Sequence, residues 1–203
     1  MIEGFPLFPL GMVLLPTEVV PLHIFEERYK RMIGECLEEE REFGIVWMSD
    51  EGLRDVGCAA EITKLLERME DGRINVLTRG SAPFRLLRRI DDMPYPAGDV
   101  EMLDDLAEEP DPDLAEDARE RYADLVDRVT DSRPAEDELA ELSAYAMVAT
   151  VETPPAAKQA LLEQRSEGAR LAAVAELFGA AMKRLDFMER ASERASTNGK
   201  VRS

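Results

Sequence analysis

The side chains that could act as a nucleophile or a general base are few in this sequence. His23 is its one histidine, and Cys36 and Cys58 are its two cysteines. A thiol beside an imidazole would supply both a nucleophile and its base. Cys36, however, falls on the apolar stripe of a predicted helix, as a small buried side chain does. With no second histidine for a relay, His23 is better explained as a hydrogen-bond partner of the backbone between a strand and a helix. We predict no catalytic residue.

Metal and nucleotide sites are also poorly supported. One histidine and two scattered cysteines cannot complete a zinc site without recruiting carboxylates. The acidic residues of the predicted helix, with the run at 38–40, have the spacing of a solvated face rather than of a site for a hard metal ion. The sequence has no G-x-x-x-x-G-K-[ST], G-x-G-x-x-G or G-x-S-x-G motif. We therefore predict no metal and no cofactor.

The apolar segment near the N-terminus favours a different chemistry, the capture of polypeptide. Met12, Leu14 and Leu15 stand in a stretch whose three prolines argue against a regular central strand. We expect these side chains to form an exposed apolar patch, in which flexible methionine accepts many partners. An unpaired strand edge could add main-chain hydrogen bonds without demanding a sequence. The alternative is that the same side chains fill the core.

The sequence divides into two halves, one predicted to be rich in strands and one predicted to be helical, and these must position the candidate residues. Residues 5 to about 103 are predicted to form short strands around one helix at 26–40, whose apolar residues recur at spacings of three and four. An Asp-Gly pair at 71–72 indicates a hairpin turn, and a bend at 79–81 is predicted to separate two strands. After an acidic linker, residues from about 112 to 190 show helical stripes interrupted by proline.

Composition limits the class of protein. The 203 residues include 25 basic and 43 acidic side chains, which gives a net charge of −18, and 45% are hydrophobic. The chain can bury a globular core, but its charge disfavours binding to nucleic-acid phosphates and anionic membranes. No apolar run approaches the roughly 20 residues of a membrane span, and no signal-peptide pattern is present. So few cysteines fit a reducing compartment, and we expect a cytoplasmic location.

A series of short motifs extends along nearly the whole chain. It consists of Phe5-Pro-Leu-Phe-Pro-Leu10, Val20-Pro-Leu-His-Ile-Phe-Glu-Glu-Arg-Tyr29, Val56-Gly-Cys-Ala-Ala-Glu-Ile62, Asp71-Gly-Arg-Ile-Asn-Val-Leu-Thr-Arg-Gly80, Phe84-Arg-Leu86, Tyr95-Pro-Ala97 and Pro155-Ala-Ala-Lys-Gln-Ala-Leu-Leu-Glu163. In order and spacing, over about residues 5 to 188, the series resembles the Lon amino-terminal (substrate-binding) domain family. The chain departs from the family pattern at Cys58, where threonine is usual, at Pro83, where arginine is common, and at Thr17, where glycine is usual.

The resemblance implies an α+β fold, in which a PUA-like pseudo-barrel of about six strands with one helix is followed by an α-helical bundle of about four helices. We accordingly expect a barrel over residues 1–108, a bundle over 109–190 and a flexible tail over 191–203. In the family this domain precedes an ATPase module and a protease module. Because the sequence has no Walker loop, we expect a stand-alone member without those modules.

The resemblance also implies a non-catalytic module that recognises unfolded or damaged polypeptide. The predicted polypeptide-binding residues are Met12, Leu14, Leu15, His23, Phe25, Glu26, Arg28 and Tyr29. Of these, Glu26 and Arg28 are expected to orient the bound chain at the rim.

Two other hypotheses stay open at this point. The first is an adaptor or regulator that docks to a separate protease or other protein machine, and it predicts one defined partner. The second is RNA binding, because PUA-like barrels elsewhere bind RNA and because Arg85, Arg88 and Arg89 form a small basic cluster. The net charge of −18 argues against RNA. The sequence leaves the oligomeric state open.

Overall fold

The computed structural model describes residues 1–198, which form seven strands and six helices. The strands are β1 (Ile2–Leu10), β2 (Val19–Ile24), β3 (Phe43–Ser49), β4 (Gly52–Leu53), β5 (Val56–Arg68), β6 (Ile74–Ile90) and β7 (Ala97–Met102). The helices are α1 (Glu27–Glu38), α2 (Pro112–Thr130), α3 (Glu136–Ala140), α4 (Ala144–Ala149), α5 (Pro155–Leu162) and α6 (Glu167–Asn198). The fold is therefore α+β, as predicted.

Five strands of the sheet close into a ring. The sheet has the order β1-β7-β6-β5-β3-β4, and β1 returns to pair with β3, so the path from β1 to β3 is continuous. All of its pairings are antiparallel except that of β1 with β3. Strand β2 lies beside the first half of β6, outside the ring. The ring corresponds to the predicted pseudo-barrel.

Strand β1 is continuous although it contains Pro6 and Pro9, with one register shift between Ile2 and Phe5. The prediction that prolines would break this segment into short edge pieces is therefore wrong. Its first half pairs with β7 and its second half, from Leu7, pairs with β3. Leu7 rather than Pro6 donates its N–H to the carbonyl of Pro96, at 2.8 Å. Proline is tolerated in a strand where its nitrogen faces no ladder acceptor.

Strand β6 is continuous through Gly80, whereas the sequence predicted a bend at 79–81. The N–H of Gly80 donates to the carbonyl of Glu18, and the N–H of Thr17 donates to the carbonyl of Gly80, each at 2.9 Å. A Cβ on Gly80 would lie 2.1 Å from the carbonyl oxygen of Leu15. Glycine is therefore used here for the close approach of two backbones and not for a turn.

The chain divides into two compact units. The first contains residues 1–107 and 145–166, and the second contains residues 108–144 and the chain from Glu167 onward. The sequence prediction divided the chain near residue 108 and put α5 in the bundle, whereas α5 lies in the same unit as the strands. The Gln159 amide donates to the carbonyl of Val56 at 3.0 Å, and Lys158 Nζ lies 2.5 Å from Glu18 Oε1. These polar contacts hold α5 in the first unit.

The second unit is built on α2 and α6. The rings of Tyr122 and Phe178 lie 5.6 Å apart between these two helices. Helix α6 extends to Asn198, so residues 191–198 of the predicted flexible tail are helical, and its last five residues, 199–203, lie outside the described residues. Among the helices of the described chain, none is both long and apolar enough to cross a membrane.

The first unit has a core between the sheet and α1. The rings of Phe5 and Phe84 meet edge to face at 5.6 Å inside the ring of strands. On α1 the residues that recur at spacings of three and four are buried, which confirms the helix predicted from that spacing; they are Tyr29, Met32, Ile33 and Cys36. This packing fixes the N-terminus of α1, where the predicted binding residues are concentrated.

Candidate functional site

An open cleft of about 750 Å³ lies in the first unit. Four parts of the chain line it: residues 7–11 at the end of β1, residues 23–26, 28 and 29 around the junction of β2 and α1, Met48 and Leu53 on the β3–β4 hairpin, and residues 89–91 and 93–97 around the connection of β6 to β7. The lining includes prolines 9, 94 and 96, whose fixed φ angles stiffen the walls.

Five of the eight predicted binding residues line this cleft. They are His23, Phe25, Glu26, Arg28 and Tyr29. The structure brings them together because β2 ends at Ile24 and α1 begins at Glu27, so that successive residues of the junction form one wall.

Met12, Leu14 and Leu15 do not line the cleft. Leu14 is 1% exposed and Leu15 is fully buried, so the predicted exposed patch at these residues is wrong. The Glu18 carboxylate accepts a hydrogen bond from the N–H of Leu15 at 3.0 Å. An irregular segment can be buried when its backbone polar groups find such partners. These leucines belong to the core, and Met12 is half-buried.

Two methionines that were not predicted from the sequence complete the apolar rim. Phe25 is 61% exposed, Met48 is 47% exposed and Met93 is 39% exposed, although all three line a concave surface. Beneath the rim the lining is aromatic, since Phe8 and Tyr29 are buried with their ring centroids 4.2 Å apart. Met48 and Met93 are 45 positions apart in the sequence, and only the closure of the sheet brings them to one site.

The charged groups of the rim are paired. Arg28 Nη2 lies 2.8 Å from Glu26 Oε2, and the Arg28 guanidinium lies 4.6 Å from the centroid of the Tyr29 ring. Arg89 Nη2 is 4.0 Å from Asp91 Oδ1. Burial raises the pKa of the Tyr29 hydroxyl, and Arg28 opposes this effect. Exposed pairs of this kind contribute little stability, so their side chains can move to contact a ligand.

A buried tyrosine links the segment between β6 and β7, which lines the cleft, to α1. The Tyr95 hydroxyl donates to Glu35 Oε2 at 2.6 Å and accepts a hydrogen bond from Arg41 at 2.9 Å. The hydrogen bond from Tyr95 holds the pKa of the Glu35 carboxyl below its usual range, with Arg31 as a second donor. Burial, followed by the hydrogen bond to Glu35, raises the pKa of Tyr95. No local pattern in the sequence indicates the hydrogen bond between Tyr95 and Glu35, which are 60 positions apart.

His23 contacts a side chain rather than the backbone that was expected from the sequence. Its Nδ1 lies 2.6 Å from Asn75 Oδ1, and its ring stacks on Phe25 with the centroids 6.0 Å apart. Cys36 and Cys58 are buried, and burial raises the pKa of both thiols. Within residues 1–198, no three His, Cys, Asp or Glu side chains are grouped as ligands for a metal ion.

The sequence matches the model of a known protein family. The model of the ATP-dependent protease La (LON) substrate-binding domain matches residues 4–178. The chain belongs to this family. The resemblance inferred from the sequence motifs is thereby confirmed.

Curated relatives of the LON family are similar over part of their own length. Lon protease of Parabacteroides distasonis is 30% identical over 51% of this chain. Lon protease of Anaeromyxobacter dehalogenans is 26% identical over 85% of it, and Lon protease 2 of Myxococcus xanthus is 25% identical over 86% of it. The chain spans 14%, 22% and 23% of these three proteins, so their activities as whole proteases are not assigned to it.

Two solved structures share the fold of this LON-family chain. A Lon N-terminal domain protein from Xanthomonas campestris is 23% identical, with a TM-score of 0.66, and the match covers 84% of this chain and 95% of that one. The N-terminal domain of Mycobacterium avium complex Lon protease is 18% identical, with a TM-score of 0.67, and the match covers 87% and 98%. The similarity confirms the predicted fold class.

Proposed function

We propose that the cleft of the first unit binds segments of non-native polypeptide and catalyses no reaction on them. The observation that carries the proposal is the exposure of Phe25, Met48 and Met93 around one concave surface. Membership of a family described as a substrate-binding domain supports it.

The chemistry of the rim favours weak binding that tolerates many sequences. Complete burial of one large apolar side chain stabilises a complex by about 1.5–3 kcal/mol, before ordering costs are subtracted. Flexible methionine side chains such as Met48 and Met93 can repack around different residues. Because Arg28 and Arg89 already have acidic partners, the rim does not require a charged ligand. We expect dissociation constants in the micromolar range.

The charge of the rest of the chain must be controlled in any binding test. Residues 104–141 include sixteen acidic and four basic side chains, and they would attract a basic polypeptide without any use of the cleft. The probe should therefore be a permanently unfolded protein with a net charge near zero. Salt at about 0.15 M further screens contacts between exposed charges.

Fluorescence anisotropy of this labelled probe, titrated with the chain, tests the proposal. The unfolded probe should bind, and a folded protein of similar size should not. Phe25→Ala should weaken binding about tenfold, because a factor of ten corresponds to about 1.4 kcal/mol and a phenylalanine anchor supplies at least that much. Phe187→Ala is the matched control, since Phe187 lies on α6 and is 73% exposed.

The outcomes separate this proposal from the alternatives. Equal losses for the two phenylalanine variants would overturn the assignment to the cleft. A lack of binding by the wild-type chain would overturn polypeptide capture. If affinity purification then recovered one stoichiometric protein, the adaptor hypothesis would replace it.

A further inference from the structure

Three polar side chains form a ladder across β5, β6 and β2. In the strand register Asn75 on β6 lies opposite Glu67 on β5 and opposite His23 on β2. The Asn75 amide nitrogen donates to Glu67 Oε2 at 3.2 Å, and Asn75 Oδ1 lies 2.6 Å from His23 Nδ1. His23 lines the cleft, whereas Glu67 and Asn75 lie beyond its lining.

The ladder determines which nitrogen of His23 carries the proton. A carboxylate only accepts hydrogen bonds, so Asn75 must turn its amide nitrogen toward Glu67 and its oxygen toward His23. That oxygen is also only an acceptor, so His23 Nδ1 must be the donor. In the neutral ring Nε2 is then an acceptor. The Glu67 carboxylate thus sets the tautomer of a side chain two strands away.

The same hydrogen bond fixes the plane of the imidazole against Phe25. The two rings are stacked, with 30° between their planes. Phe25 lies between β2 and α1, so its backbone belongs neither to the strand pairing of β2 nor to the helix. A ring held in one orientation gives the exposed phenylalanine a fixed face to pack on, which reduces the rotamer entropy lost when a ligand binds.

We propose that Glu67 and Asn75 are positioning residues of the cleft. They hold His23 as the Nδ1–H tautomer, so that its ring braces Phe25 and its Nε2 accepts a hydrogen bond from a peptide N–H. The role in binding rests on the proposed function, whereas the tautomer does not depend on it.

Nitrogen-15 NMR of the histidine ring tests the tautomer directly. Because the chain has one histidine, its ring signals need no further assignment. At about pH 9, above the range in which histidines usually titrate, the wild type should show Nδ1–H as the main tautomer. Asn75→Leu removes the acceptor and should shift the ring toward Nε2–H, the form that free imidazole side chains prefer. A wild-type ring that is mainly Nε2–H would overturn the proposal.

A double-mutant cycle with the unfolded probe tests the positioning role. Asn75→Leu should weaken binding about threefold in the wild type and should have no effect in the Phe25→Ala background, because both changes remove the same anchor. Losses that add in the double variant would contradict the role. Thr63→Val is the control: Thr63 lies on the same arm of β5 and donates to the carbonyl of Leu77 at 3.1 Å, outside the ladder.

Exchanging the polar groups of the ladder provides a rescue experiment. Asn75→Asp alone places two carboxylates side by side and should weaken binding. The double variant Asn75→Asp with Glu67→Gln restores one donor and one acceptor at that step, so it should recover the affinity. Both variants should keep the Nδ1–H tautomer, because a carboxylate at position 75 still accepts from His23 Nδ1. Failure to recover the affinity, or a ring that is mainly Nε2–H in the double variant, would count against the ladder. If the wild type does not bind the probe at all, the proposed function fails, and the NMR result still decides the tautomer.

Discussion

At Gly80 two backbones approach so closely that no side chain fits. A Cβ at this position would lie 2.1 Å from the Leu15 carbonyl oxygen, which belongs to backbone and cannot swing aside. We expect Gly80→Ala to lower the free energy of unfolding by about 2 kcal/mol or more, through the displacement of the loop before β2. Chemical denaturation followed by the fluorescence of Trp47, the one tryptophan of the chain, measures this in the first unit.

Gly34→Ala is the control for the Gly80 variant. Gly34 lies within α1, and no atom would lie within 4 Å of a Cβ there. Alanine should stabilise that helix by about 0.5–1 kcal/mol. If both variants changed stability by the same amount and sign, the close approach at Gly80 would not be the cause.

The individual residues of the site were predictable only where they are neighbours in the chain. His23, Phe25 and Tyr29 share one motif, and a single junction carries them to the cleft. Met48 and Met93 depend on how distant strands pair, which periodicity does not encode. The sequence left burial of Leu15 open as the alternative to an exposed patch, because the hydrogen bond from its N–H to the Glu18 side chain is not indicated by any local pattern.

At the scale of the elements, the hydrogen bond from Tyr95 to Glu35 on α1 should contribute a stability that depends on pH. Tyr95→Phe removes the hydrogen bond to Glu35, which should cost about 1–2 kcal/mol of unfolding free energy at neutral pH. The pKa of Glu35 is lowered in the folded state, so this contribution is complete above the usual glutamate range and is lost as the pH falls through the lowered value. The difference in stability between wild type and variant, measured by denaturation across pH, should therefore narrow as the pH falls through the lowered pKa of Glu35.

A second tyrosine in the same unit provides the comparison. The Tyr145 hydroxyl donates to the carbonyl of Leu161, at 3.3 Å, and a carbonyl does not titrate. Tyr145→Phe should lower stability by an amount that stays nearly constant over the same pH interval. A gap between wild type and Tyr95→Phe that widened in acid would contradict the assigned role of Glu35.

Elements with one dominant period were predicted well, and strands that interact with distant segments were not. Helix α1 follows from the spacing of its apolar residues. The continuity of β1 and β6 does not follow from sequence, because Pro6 and Gly80 are normal signs of interruption. In the structure, Pro6 occupies a position where no backbone N–H donor is needed. Gly80 occupies a position where a side chain would collide with the backbone of Leu15.

At the scale of the whole molecule, the order of a strand-rich half and a helical half was correct, and the family resemblance extended along both. The return of residues 145–166 to the first unit was not foreseen. It depends on contacts of Lys158 and Gln159 with residues more than 100 positions earlier, and nothing in the helical pattern of α5 indicates them.

The most direct test of polypeptide capture by the cleft is photo-crosslinking of the unfolded probe, whose net charge is near zero, to the chain. Peptide mapping then locates the modified residues. We predict crosslinks at the cleft-lining residues of segments 23–29 and 89–97 and at Met48 and Leu53. Most of these crosslinks should be lost in Phe25→Ala but not in Phe187→Ala. Crosslinks confined to α2 and α6, or spread evenly over both units, would contradict binding at the cleft.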